Sequence, residues 1–424
     1  MILISLDTVR ADCLGVYGGP DGATPALDGL AEAADVYETC VSAAPWTMPT
    51  HASMFTGLYP FEHGAHSFLP EETSGGDNVF GLSDRIETLA EGLAARGYRT
   101  GGVASNAIYL RPMLGLEQGF LAWDVERALA KGINGRALAW LDENVDGDRP
   151  FFLFLNYMDA HRPYATGDRE DLPAERLDQL IDKVMEEGEE DHALAAEVRA
   201  LHQKAVARLD AGLGKLFDGL KERDLFDRSV IVVTSDHGEA FGGHGIVEHS
   251  KDLYEDVVRV PLIVKLPGQE VGRRVRERAS SVHVAGLVAR ALAGTDAESL
   301  AAVFPRVPNG GAVFTENYYS RMKDLKRFGA RFRRQRRAMY SGSMKLIVGS
   351  DGSTELYDLG ADPAELTNLA ESSAEAVQGM LVGLNAFFGG PTRYEGSPMI
   401  PGALTREQAG EFSAMGYGGD DDDD

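Results

Sequence analysis

Polar side chains able to bind a cation follow the apolar runs of this sequence at three well-separated places. They are Asp7 after the run 2–6, Asp159 and His161 after the run 150–156, and Asp236 and His237 after the run 229–234. Each run is typical of a buried parallel strand, and the carboxyl ends of such strands meet at one edge of a sheet. Carboxylates joined by a neutral imidazole suit a divalent cation, so the sequence predicts a site for calcium, manganese, magnesium or zinc.

Thr47 is the candidate nucleophile. It begins a predicted helix, 47–57, that has Pro49 in its first turn and Gly57 at its end. A hydroxyl beside a divalent cation loses its proton more easily and can attack an ester, while a helix N-terminus favours an anionic group. Each residue type also has a structural interpretation, because threonine and aspartate commonly cap helices and histidine in an Asp-x-His turn is commonly a hydrogen-bonded loop residue.

The elements that must position these side chains alternate between apolar strands and amphipathic helices. Strands are predicted at 2–6, 36–41, 100–105, 150–156, 229–234 and 260–265, and helices at 47–57, 87–97, 128–144, 205–220 and 282–293. This alternation predicts an α/β fold with a large, mostly parallel central sheet flanked by helices.

The pattern changes near residue 305. Short strands at 312–316, 337–341, 345–348 and 355–359 are separated by glycine and aspartate turns, and a helix follows at 374–388. They predict a small antiparallel C-terminal sheet with one helix. We therefore expect a catalytic α/β domain at 1–304, a small α+β subdomain at 305–390, and a flexible acidic tail at 391–424 that ends in five aspartates.

Composition excludes several classes of protein. The chain has 424 residues, with 66 acidic against 41 Lys and Arg side chains and a net charge of −25, which argues against a nucleic-acid partner. The acidic excess is typical of salt-adapted proteins and favours a halophilic source over an acidic mesophilic one. Two cysteines exclude a disulfide scaffold. No apolar run is long enough to span a membrane, and with Met1 as the true start the chain lacks a signal segment, which predicts a cytoplasmic protein.

A dense run of arginines at 331–337 stands apart from these motifs. Two interpretations are open. The run could bind an anionic substrate or the acidic face of a partner, or it could form a solvated strand edge that is protected by charge.

Five segments, in order along the chain, resemble the sulfatase family of the alkaline phosphatase superfamily. They are 2–18, which opens Ile-Leu-Ile-Ser-Leu-Asp; 45–57, which contains Thr-Met-Pro-Thr-His; the Asp-x-His-x-Pro-Tyr turn 159–164; the stretch 234–255 with Ser-Asp-His-Gly-Glu; and the C-terminal signature 355–370. The resemblance extends over nearly the whole chain. It implies a hydrolase that binds one divalent metal ion and acts on a small anionic ester.

The resemblance also implies roles for individual residues. In the family, acids after the first strand and a pair after a late strand hold the metal, the nucleophile also ligates it, and basic residues line the substrate pocket. These positions fall here on Asp7, Asp236 and His237 for the metal, Thr47 for the nucleophile, and His51, His161 and either His249 or Lys251 for the basic residues. A second metal held by Asp159, His161 and His249 would resemble the two-zinc phosphodiesterases.

The chain departs from the family pattern at three positions, so the resemblance does not decide whether the ester it hydrolyses contains sulfur or phosphorus. Thr47 replaces the Cys or Ser that is converted to formylglycine, Thr8 replaces a second acid, and His51 replaces an Arg. A threonine nucleophile resembles phosphodiesterases and phosphoryl transferases of the same superfamily. The leading hypothesis is a sulfatase-like hydrolase in which Thr47 attacks, His51 offsets oxyanion charge, and His161 or His249 protonates the leaving oxygen. The alternatives are a phosphodiesterase, phosphonate monoester hydrolase or phosphoryl transferase, and a catalytically silent binding protein.

Overall fold

The computed structural model describes residues 1–67, 79–145, 149–164, 173–292, 299–320, 322–389 and 397–398. Within them the strands are β1 Ile2–Leu6, β2 Asp35–Tyr37, β3 Cys40–Val41, β4 Phe80–Gly81, β5 Arg99–Ala104, β6 Ala122–Val125, β7 Phe151–Tyr157, β8 Ile231–Thr234, β9 Ala240–Phe241, β10 Val247–Glu248, β11 Arg259–Val260, β12 Leu262–Lys265, β13 Arg273–Val275, β14 Ala279–Ser280, β15 Val313–Asn317, β16 Arg336–Ser341, β17 Met344–Gly349, β18 Thr354–Asp358 and β19 Ser397–Pro398. The α-helices are α1 Pro25–Ala31, α2 Thr47–Thr56, α3 Pro60–His63, α4 Leu89–Ala94, α5 Ala130–Asn144, α6 Pro173–Ile181, α7 His192–Lys221, α8 Glu255–Val258, α9 Val284–Ala291, α10 Leu300–Val303, α11 Met322–Phe328 and α12 Ala374–Phe388.

The central sheet has the strand order β13-β2-β12-β8-β1-β7-β5-β6. Strand β12 runs antiparallel to both of its neighbours, whereas the other neighbouring strands pair in parallel. The predicted α/β fold with a mostly parallel sheet is confirmed. The predicted strand 36–41 divides in two, because β2 joins this sheet and β3 pairs instead with β11 and β14.

Helices cover both faces of the sheet because successive side chains of its central strands point to opposite sides. In β1, Leu3 enters the core beneath α2, α4 and α9, while Ile2 and Ile4 enter the core beneath α1, α5 and α7. In β7, Phe152 and Phe154 alternate with Leu153 and Leu155 in the same way. Burial on both faces explains why these strands read as continuous apolar runs.

Glycines in β5 let two tryptophans lie against the sheet. A Cβ atom added to Gly101 would lie 2.4 Å from Trp140 Cε2, and one added to Gly102 would lie 2.2 Å from Trp123 Cε3. No side chain larger than hydrogen fits there without displacing an indole ring.

We therefore expect Gly102→Ala to lower the free energy of unfolding by about 1–3 kcal/mol, the usual cost of overpacking a core. Denaturant unfolding followed by tryptophan fluorescence measures it. Gly135→Ala is the matched control, since Gly135 is exposed within α5 and an added Cβ has no neighbour within 4 Å. That substitution should leave stability unchanged or raise it by up to about 1 kcal/mol. Equal effects of the two substitutions would contradict this account of β5.

A second, antiparallel sheet has the order β15-β16-β17-β18, and α12 packs on it. Its apolar face shares a core with the segment after the Thr47 helix, through Tyr59 and Phe61 against Phe314 and Leu346. The predicted small C-terminal sheet with a helix is confirmed. The expected flexible tail, 391–424, lies outside the described residues except for β19, which pairs with β4. No helix in the described part of the chain is both long and apolar enough to cross a membrane.

Candidate functional site

Three polar residues that follow β1 and β8 form one buried group. The two strands are parallel neighbours in the sheet, so their carboxyl ends deliver Asp7, Asp236 and His237 to the same edge. One ligand atom from each residue lies within 4.8 Å of the others. His237 Nε2 is 3.4 Å from Asp236 Oδ2 and 4.0 Å from Asp7 Oδ1. The structure thus brings together the three residues that the sequence predicts as metal ligands.

The imidazole of His237 presents its lone pair to this group. Its Nδ1–H donates to the carbonyl of Gly238 at 2.9 Å, and in the neutral ring this leaves Nε2 as the acceptor nitrogen. Such a hydrogen bond on the far nitrogen is what fixes a histidine as a metal ligand.

The two carboxylates fit a cation because each has a buried oxygen that no described residue hydrogen-bonds. These atoms are Asp7 Oδ1 and Asp236 Oδ2, and both side chains are fully buried. Burial, with the charge of Asp236 nearby, raises the pKa of Asp7 to about 8, and burial raises the pKa of Asp236 to about 7. Two like charges out of water resist ionisation unless a positive charge lies between them. The donor set of two carboxylates and one imidazole therefore suits a divalent metal ion.

Thr47 stands beside this group at the start of α2. The N-cap of the helix is Trp46, so Thr47 is the first helical residue and its hydroxyl does not cap the helix. Thr47 Oγ1 lies 3.4 Å from His237 Nε2. The structural interpretation of Thr47 as an N-cap is therefore wrong, and its hydroxyl faces the carboxylate and imidazole group at the positive end of a helix.

Asn106 completes the group and was not predicted. Its Nδ2 donates to Asp7 Oδ2 at 2.9 Å and lies 3.5 Å from Thr47 Oγ1, so it connects the ligand and the hydroxyl. Its position after β5 was the signal that could have identified it, because β5 is a parallel neighbour of β7 and ends at the same edge of the sheet.

His51 lies below the site, one turn of α2 after Thr47. Its Nδ1–H donates to the carbonyl of Thr47 at 2.9 Å, and its Nε2 accepts from Ser5 Oγ at 2.9 Å. Burial lowers its pKa to about 4, which keeps the ring neutral. Both nitrogens are thus engaged by the protein. The expectation that His51 offsets the charge of a bound oxyanion is not favoured by this geometry, and His51 instead supports the Thr47 turn.

His161 follows β7, as the sequence predicts, and its ring lies 5.3 Å from that of His249 between centroids. Asp159 does not join them. Both of its carboxylate oxygens accept from the backbone N–H of Ala130, at 3.0 and 3.1 Å, at the start of α5. The second metal group expected from Asp159, His161 and His249 is therefore not assembled, because Asp159 acts as a helix-capping residue.

The two candidates for the late basic position occupy different surroundings. The ring of His249 lies beside that of His237, with centroids 4.4 Å apart and planes tilted by 36°, and His249 Nδ1 lies 3.1 Å from Glu239 Oε1. Lys251 is fully buried and donates to Glu248 Oε2 at 3.0 Å. The geometry places His249, and not the ion-paired Lys251, against the metal group. Glu239 was not singled out from the sequence, although it stands two residues after His237.

Known proteins match this chain over most of its length. A family model described as Sulfatase matches residues 1–294. The uncharacterized sulfatase YidJ of Escherichia coli (strain K12) is 23% identical over 439 residues, which cover 87% of this chain and 82% of that protein. Arylsulfatase A of Homo sapiens is 25% identical over 466 residues, covering 91% and 86%. The crystal structure of the phosphonate monoester hydrolase of Agrobacterium radiobacter superimposes with a TM-score of 0.68 at 20% identity, covering 91% and 95%.

The family match includes every residue of the buried group, and the likeness in fold extends through the C-terminal sheet. The chain therefore belongs to the sulfatase family of ester hydrolases, within the alkaline phosphatase superfamily.

Proposed function

We propose that this protein is a metal-dependent hydrolase of sulfate or related oxyanion esters, with Thr47 as its nucleophile. The observation that carries the proposal is the approach of Thr47 Oγ1 to the metal-ligand group, 3.4 Å from His237 Nε2. Residues from β1, β8, β5 and α2 converge there although they are far apart in the sequence. A stability role does not account for two buried carboxylates placed together, because such a pair destabilises the fold.

Asp7, Asp236 and His237 would hold the cation with Thr47. When bound, a divalent ion neutralises the two carboxylates and polarises the oxygens of the ester and of the hydroxyl. Thr47 Oγ1 attacks sulfur or phosphorus and passes its proton to His249 or His161, and the bond to the leaving oxygen breaks. His249 or His161 protonates that oxygen. Water then cleaves the ester on Thr47, with the water oxygen becoming bonded to sulfur or phosphorus, and restores the hydroxyl. Asn106 Nδ2 links Asp7 and Thr47 Oγ1 and so holds them in register.

Phosphorus esters are the second candidate class, and the chemistry of Thr47 favours them. Threonine stands in place of the cysteine or serine that becomes formylglycine, so the covalent ester on Thr47 must be cleaved by attack on the central atom. The fold likeness to a phosphonate monoester hydrolase is consistent with this class. A catalytically silent binding protein is the third reading, and the retained group of Asp7, Asp236, His237 and Thr47 argues against it.

A substrate panel tests the proposal. The purified protein is incubated with an aryl sulfate, an aryl phosphate diester and an aryl phosphonate monoester, each with Ca²⁺, Mg²⁺, Mn²⁺ or Zn²⁺. We expect metal-dependent release of the aryl alcohol from at least one class. The ranking of the three esters then identifies the central atom. No release from any ester, with no metal bound at equilibrium dialysis, would contradict the proposal and favour the binding protein.

A further inference from the structure

The arginine run at 331–337 is divided between buried and exposed side chains: Arg334 and Arg336 are largely buried, whereas Arg331 and Arg333 are exposed. Arg331 donates to the carbonyls of His244 and Gly245 at 3.1 and 2.9 Å, and Arg336 is only 1% exposed. Arg334 and Arg336, which are largely buried, form neither an anion-binding face nor a solvated strand edge. Both of these arginines contact one segment, residues 246–254, which we call the His249 loop.

The His249 loop has an unfavourable backbone conformation on both sides of His249. Glu248 has a φ of 65° and Ser250 a φ of 66°, in the left-handed region that non-glycine residues rarely adopt. Such a conformation persists only where surrounding contacts hold it, and it is concentrated at functional sites. Contacts with other parts of the protein must therefore stabilise this conformation of the loop.

Asp252 makes the main contact between the loop and the C-terminal sheet. Its side chain is 1% exposed; Oδ2 accepts a hydrogen bond from Arg334 Nη2 at 2.9 Å, and Oδ1 forms an ion pair with Arg336 Nη2 at 3.3 Å. Arg336 also donates to Glu355 Oε1 on β18 at 2.6 Å, so the C-terminal sheet holds it rigidly. Asp252 thus anchors the loop to that sheet three residues after His249.

The loop connects this anchor to the nucleophile segment. The N–H of Ser250 donates to the carbonyl of Pro45 at 2.9 Å, two residues before Thr47, and its carbonyl accepts from Asn317 Nδ2 at 3.0 Å. A shift of the loop would therefore displace His249 and, at the same time, weaken the hydrogen bond that supports the segment before Thr47.

Resting on the proposed function of the site, we propose that Asp252 is a positioning residue. Clamped by Arg334 and Arg336, it holds the strained loop in the conformation that places His249 beside His237. It lies outside the metal-ligand group, and its effect on the reaction passes through His249. Arg334 and Arg336 are accordingly part of the active-site support.

Asp252→Asn tests this proposal, with Asp351→Asn as the matched control. Asp351 binds the same guanidinium, at 3.0 Å from Arg334 Nη1, but it lies in the β17–β18 turn, 42% of its side chain is exposed, and it does not contact the loop. We expect Asp252→Asn to lower kcat about 10-fold to 100-fold, the cost of a misplaced catalytic group, with a smaller change in KM. The loss should be greatest for esters with poor leaving groups, which need protonation most. Asp351→Asn should stay within about twofold of the wild type, because it leaves the loop fastened.

Hydrogen exchange gives a second measurement that does not need turnover. Amides of the His249 loop should exchange faster in Asp252→Asn than in Asp351→Asn, while those of β1 and β8 stay unchanged. Arg334→Met, which removes the less buried partner and keeps Arg336, should show an intermediate effect on both readouts if Asp252→Asn folds poorly.

The outcomes separate this inference from the proposed function. Thr47→Ala with wild-type turnover would contradict the proposed function whatever the loop does. An inactive Thr47→Ala, with Asp252→Asn equal to Asp351→Asn in turnover and exchange, would overturn the positioning role. Faster loop exchange with unchanged kcat would overturn it as well, because His249 would then not depend on the anchor.

Discussion

Thr47→Ala is expected to abolish ester hydrolysis, with a fall in kcat on the order of 10⁴-fold or more, as for other enzymes that lose their nucleophile. The reason is that Thr47 Oγ1 is the hydroxyl beside the carboxylate and imidazole group. The removed atoms leave a small polar gap, and the chain should still fold. Initial rates with the best ester of the panel measure the effect.

Two further variants separate chemistry from packing. Thr47→Ser keeps the hydroxyl and should retain activity to within about tenfold of the wild type. Thr56→Ala removes another hydroxyl of the same helix, which donates to the carbonyl of Ala52 at 2.7 Å far along α2, and should be active. Activity of Thr47→Ala comparable to that of Thr47→Ser would show that another group attacks the ester.

Asp7→Asn is expected to give the second largest effect, on metal binding. The substitution removes one of two formal charges that face the cation, so we expect a loss of affinity of more than about 100-fold and a corresponding loss of turnover. Dialysis of the wild type against a chelator should give the same loss of turnover, reversed when the ion is returned. Isothermal titration with Mn²⁺ measures the affinity.

The stability of the metal-free protein provides an independent check on the same substitution. The raised pKa of Asp7 means that the folded state disfavours its charged form, whereas the unfolded chain ionises it above about pH 4. Metal-free Asp7→Asn should therefore unfold at a higher temperature than the metal-free wild type at pH 7. Asp142→Asn is the control, since Asp142 pairs with Arg223 at the surface. A metal-free Asp7→Asn that melts below the wild type would contradict this electrostatic account.

Much of the site could be predicted because it follows from sheet topology. The apolar runs ahead of Asp7 and Asp236 are long enough to identify buried strands, and parallel strands bring their carboxyl ends to one edge. Thr47 could be placed at a helix start from Pro49 and Gly57. The local pattern does not contain the order of the strands in the sheet, and this explains why Asn106 was missed although it directly follows a predicted strand.

The roles of the remaining polar residues depend on tertiary contacts that no local spacing encodes. Asp159 follows a strand as Asp7 does, yet the start of α5 passes beside it, and both of its carboxylate oxygens accept from the backbone N–H of Ala130. His51 has the spacing of a basic active-site residue, but the turn of α2 directs it down to Ser5. The arginine run is typical of an exposed segment. Asp252, which binds Arg334 and Arg336, lies some eighty positions earlier in the chain, so the run itself does not reveal this partner. In each case the deciding neighbour is distant in sequence.

The most direct test of the central claim is a crystal structure grown with Mn²⁺ and vanadate, which mimics a pentacoordinate oxyanion. We expect an anomalous peak for manganese in contact with Asp7, Asp236 and His237, and vanadium bonded to Thr47 Oγ1. Manganese held by other residues, or vanadate that touches no atom of Thr47, would contradict the account.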